Sequence, residues 1–385
     1  MAGRIVLYGA TGFMGSLTAR AMVATGARPV LAGRDRGRLD ELAARLAQAR
    51  DGTRLETAVA EAAPGPLRDL IEPGDVLVST AGPFLKVGRP VVAAAVDAGA
   101  IYLDSSGEPP FIRQVFEEFG PRAERTGAVL LTAFGYDYVP GNLAGALALE
   151  AAGPAATRVQ VGYFVRGRIG KAGSAGTRAS VAGVAFEGGY SFRGGRIVSE
   201  RLAAHVTSFE IDGKPVEAFS IGSSEHFALP RLRPRAGEPA GTPAQSPLTD
   251  VGVYLGWFGR ATRLVQVGLA LAGPAGRLPG AHRAVDALAH RIQRTRTGVA
   301  ASQTIRSDVI AVARNASGRK LAALHLTGGD PYSFTAPILA WAAARAAAGG
   351  VQPAGALGPA EAFGADDLET GCASAGFHRQ RTGSG

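Results

Sequence analysis

The chain has 385 residues, 54 of them glycine, with a formal net charge of +9. This length fits two domains, or three, with enough chain to bury a core unaided, and the 46% apolar and 19% charged fractions exclude wholesale disorder. A single cysteine, Cys372, excludes an internal disulfide and any zinc or cluster site built on several thiolates.

Along the first 140 residues, apolar β-type runs alternate with helical patterns. The runs are 4–8, 29–32, 54–59, 75–80, 101–103 and 128–132. Helices are predicted over 13–25, 36–49, 87–98 and 110–126, with a shorter one over 64–71. Such alternation, with nearly continuous apolar strands, predicts an α/β domain: a doubly wound parallel sheet of Rossmann type with helices on both faces. The apolar stretch 5–8 is too short for a signal-peptide core and no window reaches the ~20 apolar residues of a membrane span. The expectation is therefore a cytoplasmic protein without metal.

After residue 139 the texture changes. A helix is predicted over 142–152 and a strand over 158–165. Runs 205–211 and 216–221 flank Asp212-Gly213-Lys214, a hairpin turn, and runs 303–313 and 320–326 flank a second turn at 315–318. Residues 141–332 thus read as an α+β domain with a mainly antiparallel sheet, serving the substrate or a homodimer contact. The Pro- and Gly-rich segment 230–247 reads as a loop or lid. Helices are predicted over 333–348 and 359–375, within a 333–376 region expected to pack back on the first domain, and 379–385 reads as a disordered tail.

Gly9-Ala10-Thr11-Gly12-Phe13-Met14-Gly15 follows the first strand at once and opens a helix. In that context a glycine pattern predicts a dinucleotide site: Gly9 for the tight turn, Gly12 for approach of the pyrophosphate, Gly15 for close packing of helix on strand. Helix N–H groups would meet the phosphates, with the Thr11 hydroxyl as a further donor. At the end of the second strand, where an acidic residue would bind an NAD ribose, the chain reads Gly33-Arg34-Asp35-Arg36. Arg34, with Arg36 or Arg38, suits the 2′-phosphate of NADP(H). The other readings are Arg34 as a solvated loop charge and Asp35 as the ribose ligand.

Ligands of such sheets bind beyond the carboxyl ends of the strands. Ala81, Gly82 and Pro83 end the fourth strand and are expected to border the nicotinamide ribose. Asp104 and Ser105 end the fifth, either at the crevice or as helix caps. Tyr136, Asp137 and Tyr138 follow the sixth, and Asn142 reads as a cap of the next helix. Tyr136 is the expected proton donor, with Asp137 and Asp104 orienting or polarising. Of six scattered histidines, His226 is the best placed.

The cations are arginines apart from Lys86, Lys171, Lys214 and Lys320, and are dispersed without the interleaved aromatics of a nucleic-acid binder. No nucleic-acid partner is expected; the partner is a small-molecule substrate. The apolar stretch 251–273 reads as a core helix, the lining of a lipophilic pocket or a peripheral membrane or lipid contact.

YGATGFMG, LAGRDRGRL, STAGPF, VVAAAVDAGAIYLDSSGE and AFGYDYVPGN together resemble the successive strand ends of the saccharopine dehydrogenase-like oxidoreductases. The resemblance is strong over 4–142 and continues more weakly through Gly176-Thr177, 329–337 and 355–376. It implies an N-terminal NADP-binding Rossmann domain, a second α+β domain and a C-terminal helix returning to the first. Members include saccharopine reductases and trans-acting enoyl reductases; the lipid-pathway members usually read GFDSVPSD where this chain reads GYDYVPGN. The expected function is NADPH-dependent reduction of a polarised C=C or C=N bond in a small or lipophilic substrate. A lipophilic pocket would favour C=C, and carboxylate-binding cations such as Arg166, Arg168, Lys171 and Arg178 would favour C=N. The alternative is a non-catalytic NADP(H)-binding sensor or scaffold.

Overall fold

The structure is a computed structural model and describes residues 3–49, 52, 54–167, 188–232, 248–275, 305–351 and 353–380. The predicted lid beyond residue 232, the cations Arg168, Lys171 and Arg178, the Gly176-Thr177 pair and the tail from 381 lie outside the described residues.

The N-terminal strands are β1 (Ile5–Tyr8), β2 (Val30–Gly33), β3 (Thr57–Val59), β4 (Val76–Ser79), β5 (Ile101–Asp104) and β6 (Val129–Leu131). Between them lie α1 (Phe13–Ala24), α2 (Arg36–Gln48), α3 (Pro64–Arg68), α4 (Phe84–Ala98), α5 (Pro109–Gln114) and α6 (Gly120–Thr126). The sheet order is β3-β2-β1-β4-β5-β6, parallel throughout. Every residue of β1, β2, β4 and β6 is buried, which is why these strands read as unbroken apolar runs. The order reverses between β1 and β4, so right-handed crossovers send α1 and α2 to one face and α4 to α6 to the other. That reversal opens the crevice beyond the strand ends.

Three local differences from the sequence reading have simple causes. The helix predicted over 110–126 is interrupted by one wider turn, Val115–Phe119, just before Pro121 removes an amide from the ladder. The fourth helix starts at Phe84, three residues early, because the Glu108 carboxylate accepts the amides of Phe84 and Leu85 at 2.8 and 2.9 Å. The helix predicted from 142 starts at Val139 with Pro140 in its first turn, so Asn142 is a buried helical residue and not a cap.

That helix, α7 (Val139–Ala152), leads into β7 (Arg158–Arg166) and packs on the second sheet. Further strands are β8 (Gly189–Arg193), β9 (Arg196–Glu200), β10 (Val206–Ile211), β11 (Lys214–Ser220), β12 (Asp250–Leu255), β13 (Arg306–Arg314) and β14 (Lys320–Gly328). The order β10-β11-β12-β7-β13-β14 is antiparallel except for the parallel β12–β7 pair. The β8–β9 hairpin, turning at Gly194-Gly195, joins β12 and was not anticipated from sequence. A short helix, α8 (Glu225–Ala228), precedes β12.

The stretch 251–273 is not one helix. It divides into buried β12 and the helix α9 (Thr262–Ala275), on which Leu264 and Val267 are exposed. The C-terminal part holds α10 (Pro331–Ala347), α11 (Pro359–Phe363) and α12 (Ala365–Ser374). Helix α10 lies along α1 and over β1, β4 and β5. Gly355–Ala356 forms β15, a seventh parallel strand beside β6, and His378–Arg379 forms β16 beside β14.

Candidate active site

The β1–α1 turn has the geometry of a dinucleotide cradle. Gly9 has φ +79°, and a Cβ there would approach the Ala81 amide nitrogen to 2.9 Å. A Cβ on Gly15 would run into the Gly9 carbonyl and come within 2.8 Å of Thr80 Oγ1. Gly12 differs: it is exposed, and the one neighbour a Cβ would meet is the Gly9 carbonyl oxygen at 3.2 Å. Gly9 and Gly15 are therefore required by packing, whereas Gly12 leaves open backbone facing the crevice. The first turn of α1 carries no acidic residue and no side chain caps it, so its N–H groups and dipole are suited to an anion. These residues fit the diphosphate of a dinucleotide.

Thr11 borders this turn, and its carbonyl accepts a hydrogen bond from Arg38 Nη2 at 2.9 Å. Phe13 is 38% exposed and meets Tyr332 edge to face at 5.2 Å, at the head of a groove of about 280 Å3 between α1 and α10. Met14 is half-buried. At the end of β2, Asp35 caps α2 by accepting the Arg38 amide at 3.1 Å. Arg34 beside it is exposed, and its charge opposes the upward shift that burial imposes on the Tyr8 phenol. Asp35 is thus engaged through Oδ1 as a helix cap, and Arg34 stands exposed beside it.

The Ala81-Gly82-Pro83 segment follows β4 and leads into α4. Asp104 is fully buried at the end of β5, where Oδ1 accepts the amides of Ser106 at 2.8 Å and Ala133 at 2.9 Å. Burial pushes its pKa to about 6, against the pull of those two amides. Asp104 therefore pins the loop after β6 to the end of β5; it does not cap the following helix.

That loop brings Tyr136 and Asp137 to different environments. The Tyr136 amide donates to Thr335 Oγ1 at 3.0 Å, and its ring lies among Tyr163, Trp257 and Phe377. The phenol is buried and its pKa is pushed well up by desolvation. Asp137 is half-buried beside exposed Gly107, on which a Cβ would lie 3.0 Å from Asp137 Oδ2. Its Oδ1 is shielded and accepts no hydrogen bond. Burial pushes this carboxyl to about 7.

Behind Asp137 lies a polar cluster that sequence reading missed. Tyr163 donates to Glu225 Oε1 at 2.6 Å, and Glu225 Oε2 has no partner. Burial raises Glu225 to about 8 despite the Tyr163 bond, and the Asp137 charge adds to the rise. Asn142 Nδ2 donates to the Tyr138 carbonyl at 2.9 Å and to Ser224 Oγ at 3.0 Å. His226, the favoured histidine, is buried with Nδ1 3.1 Å from Ser223 Oγ, and burial holds it down at about 4 and hence neutral. Arg166 is already paired: Nε donates to Asp308 at 2.7 Å and Nη1 to Asp212 at 2.6 Å. No group of metal-ligating side chains occurs among the described residues, and no helix there is long and apolar enough to cross a membrane.

Residues 5–131 match the family model of the saccharopine dehydrogenase NADP binding domain. The chain is 41% identical over 142 residues to a candidate trans-acting enoyl reductase of Mycobacterium tuberculosis, covering 36% of this chain and 33% of that one. A trans-acting enoyl reductase of Mycobacterium ulcerans is 38% identical over 141 residues, covering 36% and 34%. The aligned part is thus about a third of the length of these relatives. Apo saccharopine dehydrogenase (L-Glu forming) from Saccharomyces cerevisiae shares the fold over 96% of both chains, with a TM-score of 0.56 at 13% identity. Residues 5–131 are thus similar to the NADP binding domain of saccharopine dehydrogenase, and NADP(H) is the cofactor this match supports.

Proposed function

We propose that the protein is an NADPH-dependent reductase of a polarised C=C bond, with Asp137 as the proton donor. The observation that carries this reading is the Asp137 carboxyl, in the loop that follows β6, unpartnered at Oδ1 and with Oδ2 beside exposed Gly107. NADPH, when bound, supplies the hydride. The chain's residues hold the phosphates at Gly12 and the start of α1, orient the substrate at the strand ends and place one proton. Hydride and proton add across the double bond and leave a saturated product. A carboxyl poised near 7 retains its proton around neutrality and releases it readily, which suits a general acid. Tyr136 then serves as a wall of the site, since its raised pKa opposes ionisation and its ring is enclosed by other aromatics.

Two observations support C=C over C=N. The relatives are named enoyl reductases. Arg166, a candidate clamp for an amino-acid carboxylate, is held through Nε and Nη1 by Asp308 and Asp212, which leaves Nη2 alone without a partner. The test is NADPH consumption with a short α,β-unsaturated acyl thioester and, separately, a cyclic imine. Consumption with the thioester supports the reading. Consumption confined to the imine would replace C=C by C=N, and none with either would point to the sensor alternative.

A further inference from the structure

Strand β12 changes partner along its length. Asp250 and Val251 pair with β8, whereas Tyr254 and Leu255 pair with β11. The two hairpins splay at this fork and leave a cleft of about 340 Å3, away from the crevice above the first sheet. Its floor includes Ser191, Gly252 and His226, and Arg158, Arg193 and Arg314 stand around it.

The charges of the cleft are unevenly satisfied. Asp250 accepts from Thr249 Oγ1 at 2.7 Å and lies 3.4 Å from Arg158 Nε. Glu200 lies 3.2 Å from His205 Nε2. Among the described residues Arg193 and Arg314 have no acidic partner; Arg314 Nη1 donates only to the Gly318 carbonyl, at 3.1 Å. Ser191 is buried and its hydroxyl has no hydrogen-bond partner. A buried hydroxyl without a partner is unfavourable, and a ligand oxygen would relieve it. The His226 ring at the floor is neutral, so the positive charge of the cleft comes from the arginines around it.

We propose that this cleft binds a small organic polyanion, of dicarboxylate or phosphomonoester size, between Arg193, Arg314 and the Ser191 hydroxyl. Guanidinium forks and a hydroxyl are the groups that recognise carboxylate and phosphate oxygens. The volume lies at the low end of small-molecule sites, too small to enclose a second dinucleotide.

The test is calorimetric titration of the full chain, saturated with NADP+ to block the phosphate turn, with succinate and with inorganic phosphate in turn. Saturable binding of one probe is expected, and the tighter one separates the carboxylate from the phosphate source. Arg193→Gln combined with Arg314→Gln should weaken binding about tenfold or more while leaving NADP+ affinity unchanged. Should that variant fail to fold, Ser191→Ala carries the test: weaker probe binding at an undiminished melting temperature. No saturable binding of either probe, or binding retained in the variants, would overturn the proposal.

Discussion

Asp35 accepts the amide of Arg38 at 3.1 Å, and this bond commits the acidic side chain at the end of β2 to capping α2. On the proposed reading, Arg34 meets the 2′-phosphate of NADP(H). Arg34→Ala should weaken NADPH binding by about 1–3 kcal/mol, the range for a lost charge-assisted contact, and leave NADH binding almost unchanged. Asp35→Ala should cost about 1 kcal/mol of stability as a lost N-cap without reversing the preference for NADPH. Fluorescence titration and thermal melting check the pair.

Gly12 and Gly15 separate binding from folding. A Cβ on Gly15 meets the Gly9 carbonyl and Thr80, so Gly15→Ala should lower the melting temperature and abolish cofactor binding together. A Cβ on Gly12 meets little within the chain but stands where phosphate oxygens would approach. Gly12→Ala should therefore weaken NADPH binding about tenfold or more at a nearly unchanged melting temperature. Equal losses of stability in the two variants would contradict the distinction.

With Asp137 as the proposed proton donor, the reaction should be pH-dependent. A general acid must be protonated, so turnover should fall as pH rises through about 7. Asp137→Asn should lower turnover by roughly 10²–10⁴, as for loss of a general acid, and remove that limb of the profile. Tyr136→Phe should change turnover far less. A pH–rate profile of the three proteins at saturating NADPH measures this.

Glu225 makes stability pH-dependent in the opposite sense to a salt-bridged carboxylate. Its folded pKa is raised from 4.5 to about 8, and those of Asp137 and Asp104 from 3.8 to about 7 and about 6. These groups contribute fully at low pH, below the unfolded values; the contribution is lost as pH climbs through the folded ones, because the native state holds the extra protons. Glu118, Asp212, Glu217 and Asp308 are shifted down, so their contribution falls away only on the acid side. The melting temperature should fall between about pH 4 and about pH 8, and Glu225→Gln should flatten that fall.

The first sheet was legible because its signals are local. Buried parallel strands must be apolar throughout, and a turn with no room at Gly9 and Gly15 must be glycine. The alternation of strands with helices pointed to a parallel sheet covered on both faces. What escaped depends on pairs far apart in sequence. Glu108 caps α4 from 24 residues away, Thr335 receives the Tyr136 amide from 199 away, and Tyr163 meets Glu225 across 62. The 251–273 stretch looked continuous because a buried strand and an amphipathic helix follow one another with similar apolar content. The Gly194-Gly195 turn was a readable hairpin signal, and the alternation in Tyr190 to Phe192 supports it.

The most direct test of the account is a single turnover of the NADPH-loaded protein with an α,β-unsaturated acyl thioester, wild type against Asp137→Asn, at about pH 6 and about pH 8, on either side of the Asp137 pKa of about 7. The account predicts consumption by the wild type that slows at the higher pH, and a slow, pH-independent rate for the variant with NADPH still bound. A variant as fast as wild type, or a wild type that binds NADPH and consumes none, would contradict it.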